Sequence, residues 1–254
     1  MNDLHDLHIL VTRPALQGTE ICRLITDRCG HAIHFPTIAF APPPDQLAFQ
    51  QAIALLGEQE WLIFISPQSV YASVDHIRKA WPQWPQQVKF AAVGAGTVKA
   101  LHEAGYEVSS WPMTDWGSDG LLALPEFQSV FGKKIAIIRG MGGREIVDKV
   151  LTARGAYILP VLAYERILPT VDVSECLQLL KQRIINRIVC TSYEGVKNLK
   201  ILVGETGWPY LKGIPLIVMS ERIKTLAHDL GFQTIWVTRH ASQTAILDAC
   251  RKRE

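Results

Sequence analysis

The sequence predicts an α/β chain of two doubly wound parallel-sheet domains, produced by an internal duplication and joined by a two-stranded linker. Three observations predict it. Short apolar runs alternate with helical patterns along the chain, as expected for strands buried on both faces of a parallel sheet. Equivalent junction residues recur 126 positions apart: Arg13 and Arg139, Ser66 and Ser192, Gly94 and Ser220, Gly105 and Gly231. Proline-rich connectors fall at matching places, around 36–44 and 160–169.

The stretch Lys133–Pro169 shows the repeating unit in full. IAIIRG reads as a buried strand and GMGGR as a tight glycine turn. REIVDKVLTARG reads as a helix with Ile146, Val147, Val150 and Leu151 on one face and Gly155 as its stop. AYILPVLAYERILP is a second extended run, interrupted and closed by proline. The first forty residues repeat the order: strand His8–Thr12, Pro14 at the first turn of a helix, a helix end near Gly30, and strand Ile33–Phe40. Gly30 is aligned with Gly155, Pro36 with Pro160, and Phe40 with Tyr164.

Between these units the pattern continues in order. A helix is expected from Gln46 to Leu56, a strand in WLIFIS and a helix opening at Ser66. After the WPQWPQQ loop come a strand in KFAAVG, a helix in GTVKALHEAG, a strand in YEVSSWP and a short helix in GSDGLLALP capped by Ser118 or Asp119. Beyond the second unit, Val173–Arg183 is helical, RIVCTS a strand and Tyr193–Leu202 a helix. PLIVMS, ERIKTLAHDLG, FQTIWVT and Ser242–Cys250 then alternate strand and helix. Each sheet is expected to hold about five strands. If each connector is a crossing, the chain starts one domain, leaves to build the other and returns. The domains are then residues 1–38 with 167–254, and an inserted domain 39–166.

Composition restricts the function classes. The chain has 254 residues, 48% hydrophobic and 20% charged, with a net charge of +2, which argues against nucleic acid or a membrane surface as the main partner. MNDLHDLH lacks the basic and apolar regions of a signal peptide. The five cysteines form no CxxC pair, and Cys22 and Cys29 lie seven apart on one expected helix; they read as small hydrophobes in a reducing compartment. The histidines show no metal spacing, so no metal is expected. No exposed apolar seam is evident, so a monomer is expected.

Several positions suit anions. The GMGGR turn fails the dinucleotide fingerprint because Glu145 occupies its third glycine position, and it lacks the GK[ST] of a phosphate loop. A glycine turn at a helix N-terminus, centred on Gly140 and flanked by Arg139 and Arg144, suits an anion; the same residues also read as a plain turn with surface arginines. Ser66, Thr97, Ser118, Ser192 and Ser220 stand at strand-to-helix junctions. Singly they read as caps. Together, at the carboxyl ends of parallel strands, they suit a ligand with many carboxylates. Tyr164 carries a hydroxyl that its counterpart Phe40 lacks. Trp81, Trp84, Trp111 and Trp116 fall in loops as packing or lid residues.

These blocks (VTRP, FISPQSV, AVGAGTVKALHEAGYEV, IIRGMGGREIVDKVLTARGA with its YER, CTSYEGVKNL and VMSERIKTLAHDLGF) resemble, in order and over nearly the whole chain, the uroporphyrinogen-III synthase family. The resemblance implies two α/β domains on a two-stranded linker. It also implies a cytoplasmic lyase of haem biosynthesis that cyclises hydroxymethylbilane with inversion of the last pyrrole ring and loss of water, without cofactor. It makes Tyr164 the candidate proton donor and places Arg13, Ser66, Thr97, Arg139, Gly140, Arg144, Ser192 and Ser220 at the substrate. Its candidate macromolecular partner is the preceding pathway enzyme, hydroxymethylbilane synthase. The alternative reading is a non-enzymatic two-lobed binding protein for a small polyanion.

Overall fold

The structure, a computed structural model, describes residues 4–114, 117–143, 145–239 and 242–252. The chain divides into two compact units, one of Met1–Ala39 with Ile167–Glu254 and one of Phe40–Arg166. Each holds one five-stranded sheet.

In the first unit the strands are β1 (His8–Val11), β2 (His31–His34), β8 (Arg187–Val189), β9 (Leu216–Val218) and β10 (Ile235–Val237), in the order β10-β9-β8-β1-β2. Its helices are α1 (Ala15–Thr26), α8 (Ser174–Lys181), α9 (Tyr193–Leu211), α10 (Glu221–Asp229) and α11 (Gln243–Cys250). The pairings β1 with β2, β1 with β8, β8 with β9, and β9 with β10 are all parallel. Alternate residues of β1 and β9 enter opposite core layers. Leu10, Leu216 and Val218 join one layer; Ile9, Val11 and Ile217 join the other. Burial on both faces is the reason these strands read as unbroken apolar runs.

The second unit contains β3 (Ala39–Ala41), β4 (Trp61–Phe64), β5 (Lys89–Ala92), β6 (Lys134–Gly140) and β7 (Tyr157–Ile167), in the order β3-β7-β6-β4-β5. Its helices are α2 (Gln46–Ala54), α3 (Pro67–Ala80), α4 (Ala95–Glu103), α5 (Ser118–Ala123), α6 (Pro125–Gln128) and α7 (Ile146–Ala153). Leu62, Phe64, Ala136 and Ile138 face one core layer, and Trp61, Ile63, Ile135 and Ile137 the other. Moving each strand by 126 positions carries β1, β2, β4 and β5 onto β6, β7, β8 and β9. Each sheet is therefore assembled from parts of both sequence copies.

Several local expectations change. The run 33–40 splits, because β2 ends at His34 and β3 belongs to the other sheet; Pro36 and the following turn separate them. β7 is not interrupted by Pro160, which stands opposite Ile137. The other neighbour of β7, β3, is three residues long, so the missing N–H leaves little ladder unpaired. In this register Pro160 matches His34, not Pro36. YEVSSWP makes only an isolated bridge, Ser110 to Ala91. α5 is preceded by Gly117 at φ 117°, and neither Ser118 nor Asp119 caps it. α9 extends past Leu202 but breaks at Gly204, at φ 60° and ψ −172°. Trp81 and Trp84 pack inward: the indole of Trp81 donates to the Ile53 carbonyl at 2.9 Å and stacks edge-on with Trp84. Trp116 lies outside the described residues.

Three helix ends share one chemistry. Gly105, Gly155 and Gly231 take φ of +81°, +86° and +96° just past α4, α7 and α10, the left-handed cap that glycine adopts without strain. In the first copy the left-handed residue is Cys29, at φ 62°. Its N–H bonds the Thr26 carbonyl, and the Gly30 N–H bonds that of Ile25. The stop is thus Cys29, which keeps the 126-residue register with Gly155. Gly30 is needed for close packing, since a Cβ there would lie 2.8 Å from Ile25 Cγ2. Cys22 and Cys29 do not share a helix face, for α1 ends at Thr26.

The thiols give a direct check. Cys29 is exposed, Cys22 half-buried, and Cys176, Cys190 and Cys250 buried. Burial pushes the Cys176 thiol up to about 11 and that of Cys250 to about 12. At pH 8 the reactive thiolate of either is then about one part in a thousand or less. An aromatic disulfide reagent is expected to modify Cys29 first, Cys22 more slowly, and the other three only after denaturation. Fast release of more than two equivalents from native protein would contradict this packing.

Candidate active site

In parallel α/β sheets the ligand edge is the carboxyl end of the strands, where the second unit brings four of the anticipated residues together. β6 ends at Arg139 and Gly140. The partner register shifts there: Arg139 faces Leu162, and Gly140 faces Tyr164. The irregularity places Ala163 as an extra residue on β7 and turns Tyr164 toward β6. The Met141 N–H then bonds the Tyr164 carbonyl at 2.8 Å. A Cβ on Gly140 would sit 2.5 Å from the Tyr164 ring, so the phenol occupies space that only glycine leaves open.

Tyr164 is 3% exposed. Phe40 meets its ring edge-on at 5.3 Å, and the Arg166 guanidinium lies over it at 5.8 Å. Its hydroxyl lies 3.1 Å from Ser66 Oγ. Ser66, half-buried at the end of β4, is the N-cap of α3: its Oγ accepts from the Ser69 N–H at 3.1 Å. The Ser66 N–H in turn donates to Ser69 Oγ at 3.2 Å, which completes a capping box. Ser69 is fully buried; its signal in the sequence was the S-x-x-S spacing. A cavity of about 330 Å³ borders the Tyr164 ring, lined by Phe40, Pro42, Phe49 and Gln68 among others.

The paired arginines differ. Arg139 is 9% exposed; its Nε donates to Asp148 at 3.1 Å and its Nη2 to Glu145 at 3.1 Å. It therefore ties the glycine turn to α7 and is not the open anion donor anticipated from the sequence. Positions 126 earlier than these two acids hold Cys22 and Thr19. Among the described residues the Arg13 guanidinium accordingly makes one hydrogen bond, to Gln17 at 2.9 Å, and its buried Nε has no partner. Burial pushes the Arg13 guanidinium down, and Glu20 partly restores it. Arg144 lies outside the described residues.

Ser192 and Ser220 are helix caps at the same edge of the first unit. Ser192 Oγ accepts from Gly195 at 3.0 Å, and Ser220 Oγ from Ile223 at 3.4 Å. Thr97 is a correction: it is the third residue of α4, 2% exposed, behind an N-cap glycine, so its side chain packs and does not line the edge. At the end of β10 lies a cavity of about 450 Å³ that includes Thr238, Arg239, Ser242 and Lys252. Among the described residues no group of three or more metal-ligating side chains converges, and no helix is long and apolar enough to cross a membrane.

Comparison with known proteins gives one family throughout. The family model described as "Uroporphyrinogen-III synthase HemD" matches residues 20–248. The uroporphyrinogen-III synthase of Escherichia coli is 33% identical over 96% of this chain and 99% of its own length. That of Salmonella typhimurium is 31% identical over the same shares. Among solved structures, a uroporphyrinogen III synthase of Thermus thermophilus superposes with a TM-score of 0.62 at 14% identity, covering 95% of this chain and 96% of its own. That of Helicobacter pylori superposes with 0.59 at 14% identity, covering 95% and 97%. At that identity the two superpositions speak to the fold alone, and they agree with the two-sheet α/β architecture.

Two substitutions separate strut from free donor. Arg139→Gln leaves Asp148 without its cation in a mostly buried setting and is expected to cost about 3 kcal/mol of stability. Arg13→Gln, where no carboxylate is hydrogen-bonded to the guanidinium among the described residues, is expected to change it by less than about 0.5 kcal/mol. Urea midpoints of the two variants and the parent check the contrast; equal midpoints would place both arginines on the surface.

Gly140→Ala tests the Tyr164 packing. The added methyl collides with a ring that Phe40 also contacts, and overpacking of this kind costs about 1–3 kcal/mol. Pairing Gly140→Ala with Tyr164→Leu, which removes the ring, is expected to abolish most of that extra cost. Thermal melts of the single and double variants measure it.

Proposed function

Because this chain belongs to the uroporphyrinogen-III synthase family, we propose that it converts hydroxymethylbilane, a linear tetrapyrrole with acetate and propionate side chains, to uroporphyrinogen III. The single observation that carries this reading is the 33% identity with the E. coli enzyme over 96% of the chain. Local chemistry supports it. The carboxyl edges of the sheets carry helix caps, a guanidinium nitrogen without a partner among the described residues and a buried phenol, a set suited to holding carboxylates and controlling geometry. The non-enzymatic polyanion-binding alternative gives way, since the curated relatives are named as synthases.

In the proposed course the substrate's terminal hydroxyl leaves as water and its electron-rich pyrroles supply the push. The last ring then adds through its substituted carbon, fragments and recloses inverted. Unassisted, the same substrate closes without inversion, so the enzyme's main task is orientation. Arg13, Ser192 and Ser220 are proposed to meet substrate carboxylates, with Tyr164 at the departing hydroxyl. The two compact units are proposed as the folding domains of the enzyme. It is proposed to act as a monomer on material from hydroxymethylbilane synthase, and no step of this reading asks for a cofactor. The five free cysteines fit a reducing, cytoplasmic setting.

The test is incubation of the purified chain with hydroxymethylbilane, oxidation of the products and chromatographic separation of the type I and type III isomers. Type III product is expected to predominate; type I product at the rate of the uncatalysed blank would overturn the assignment. In the same assay Arg13→Gln is expected to raise KM several-fold with kcat nearly unchanged, and added salt to raise KM for the parent enzyme.

A further inference from the structure

The Tyr164 phenol is too enclosed to be the group that substrate meets first. It is 3% exposed, while Ser66, to which it is hydrogen-bonded, is half-buried at the strand edge. Counting donors and acceptors fixes the direction of that bond. Ser66 Oγ already accepts from the Ser69 N–H, a hydrogen shared with the Ser66 carbonyl. A hydroxyl has one hydrogen and two lone pairs. If Ser66 donated to Tyr164, the phenol's own hydrogen would be left in the core with no acceptor among the described residues, an expensive outcome. If Tyr164 donates, both Ser66 lone pairs are occupied and the Ser66 hydrogen points away from both, toward the open side of the edge. Ser66 is then a pure donor at the N-terminus of a 14-residue helix, whose dipole polarises its O–H outward.

We propose that Ser66, and not Tyr164, hands the proton to the leaving hydroxyl, and that Tyr164 is the buried source that replaces it. This rests on the synthase reading above. The substrate C–O bond breaks with its electron pair on oxygen, while a pyrrole nitrogen lone pair compensates the carbon. The Ser66 Oγ proton completes the departing water, and the Tyr164 Oη proton moves to Ser66 Oγ. The electron pair left on the phenolate sits near the Arg166 guanidinium, which lies 5.8 Å from the ring centre. The phenol is restored by the proton that the ring-closing pyrrole carbon loses at the end, so no proton is gained or lost beyond the released water. The first unit has no such pair: Ser192 stands at the twin position of Ser66, and the twin of Tyr164 in the same register is Ile38.

The test compares kcat and KM for type III product in the parent chain, Ser66→Ala, Ser66→Thr, Tyr164→Phe and the double variant Ser66→Ala/Tyr164→Phe. The relay predicts a loss in kcat of about 10²-fold for Ser66→Ala, the lower end for a lost general acid because the substrate helps expel its own hydroxyl. A smaller loss is expected for Tyr164→Phe, whose Ser66 hydroxyl remains. The double variant should be no slower than Ser66→Ala, since groups acting in series are not additive. Ser66→Thr, which keeps both hydroxyl and cap, should recover most of the rate, and KM should change little throughout. Should Ser66→Ala fold poorly, Ser66→Gly replaces it, glycine being well tolerated at a cap. Ser66→Ala or Ser66→Gly at the parent kcat overturns the proposal. So does a Tyr164→Phe loss larger than that of Ser66→Ala, or a double variant slower than either single by the product of their effects. A parent chain that forms no type III product overturns the synthase reading instead, so the two failures are distinguishable.

Discussion

Strand β1 can complete its sheet only with a piece of chain synthesised much later. The Thr12 N–H and its Oγ both donate to the Val189 carbonyl at 3.0 Å, 177 residues away. β1 lies inside the sheet, between β2 and β8, so without β8 a row of its backbone groups would be buried and unpaired. Parallel pairing cannot be made by a hairpin; the chain must travel out and return. Here the excursion is a whole second unit, residues Phe40–Arg166. The packing follows the same constraint. Ile9, Leu10 and Val11 are fully buried, and they share core layers with Val189, Ile217 and Leu199 from the later segment. A unit whose centre depends on such distant contacts is expected to fold after the contiguous one, because loop closure precedes any reward from the contact.

Much of this was legible in the sequence because its signals are local. An apolar run followed by serine or glycine and then a helical pattern marks the carboxyl end of a parallel strand, and the 126-residue recurrence paired those marks across the chain. The unreadable parts depend on which side chains meet. Arg139 looked like an anion donor until Asp148 and Glu145, on and beside α7, were seen to enclose it. Thr97 shared a junction with true caps but lies three residues beyond Gly94, where a side chain turns into the core. Gly30 looked like a helix stop because glycine commonly is one; Cys29 tolerates the left-handed position, and Gly30 is retained for contact with Ile25. The bond between Ser66 and Tyr164 spans 98 residues, a distance over which no period of the sequence carries information.

The duplication supplies internal controls that a single domain lacks. Two arginines stand 126 positions apart, yet one is bracketed by carboxylates, and the residues that match those acids in the first copy are Thr19 and Cys22. A guanidinium that is partly desolvated with no carboxylate hydrogen-bonded to it is costly to keep. Burial pushes the Arg13 guanidinium down while Glu20 opposes it, and its Nε has no partner among the described residues. Arg139 is tied to the acids of its own unit, and the Arg13 guanidinium has only Gln17 as a hydrogen-bond partner among the described residues.

The serine caps show the same division. Ser192 and Ser66 both accept from the backbone N–H three residues on, so capping alone explains why serine stands in each place. Only at Ser66 is the second lone pair also taken, by a phenol that a bulge and a glycine turn toward it. A cap that needed only to end a helix would require neither the glycine at 140 nor the irregular register beside it. Those features interrupt an otherwise regular register, and their effect is to place one hydroxyl oxygen behind another at the carboxyl edge of the sheet.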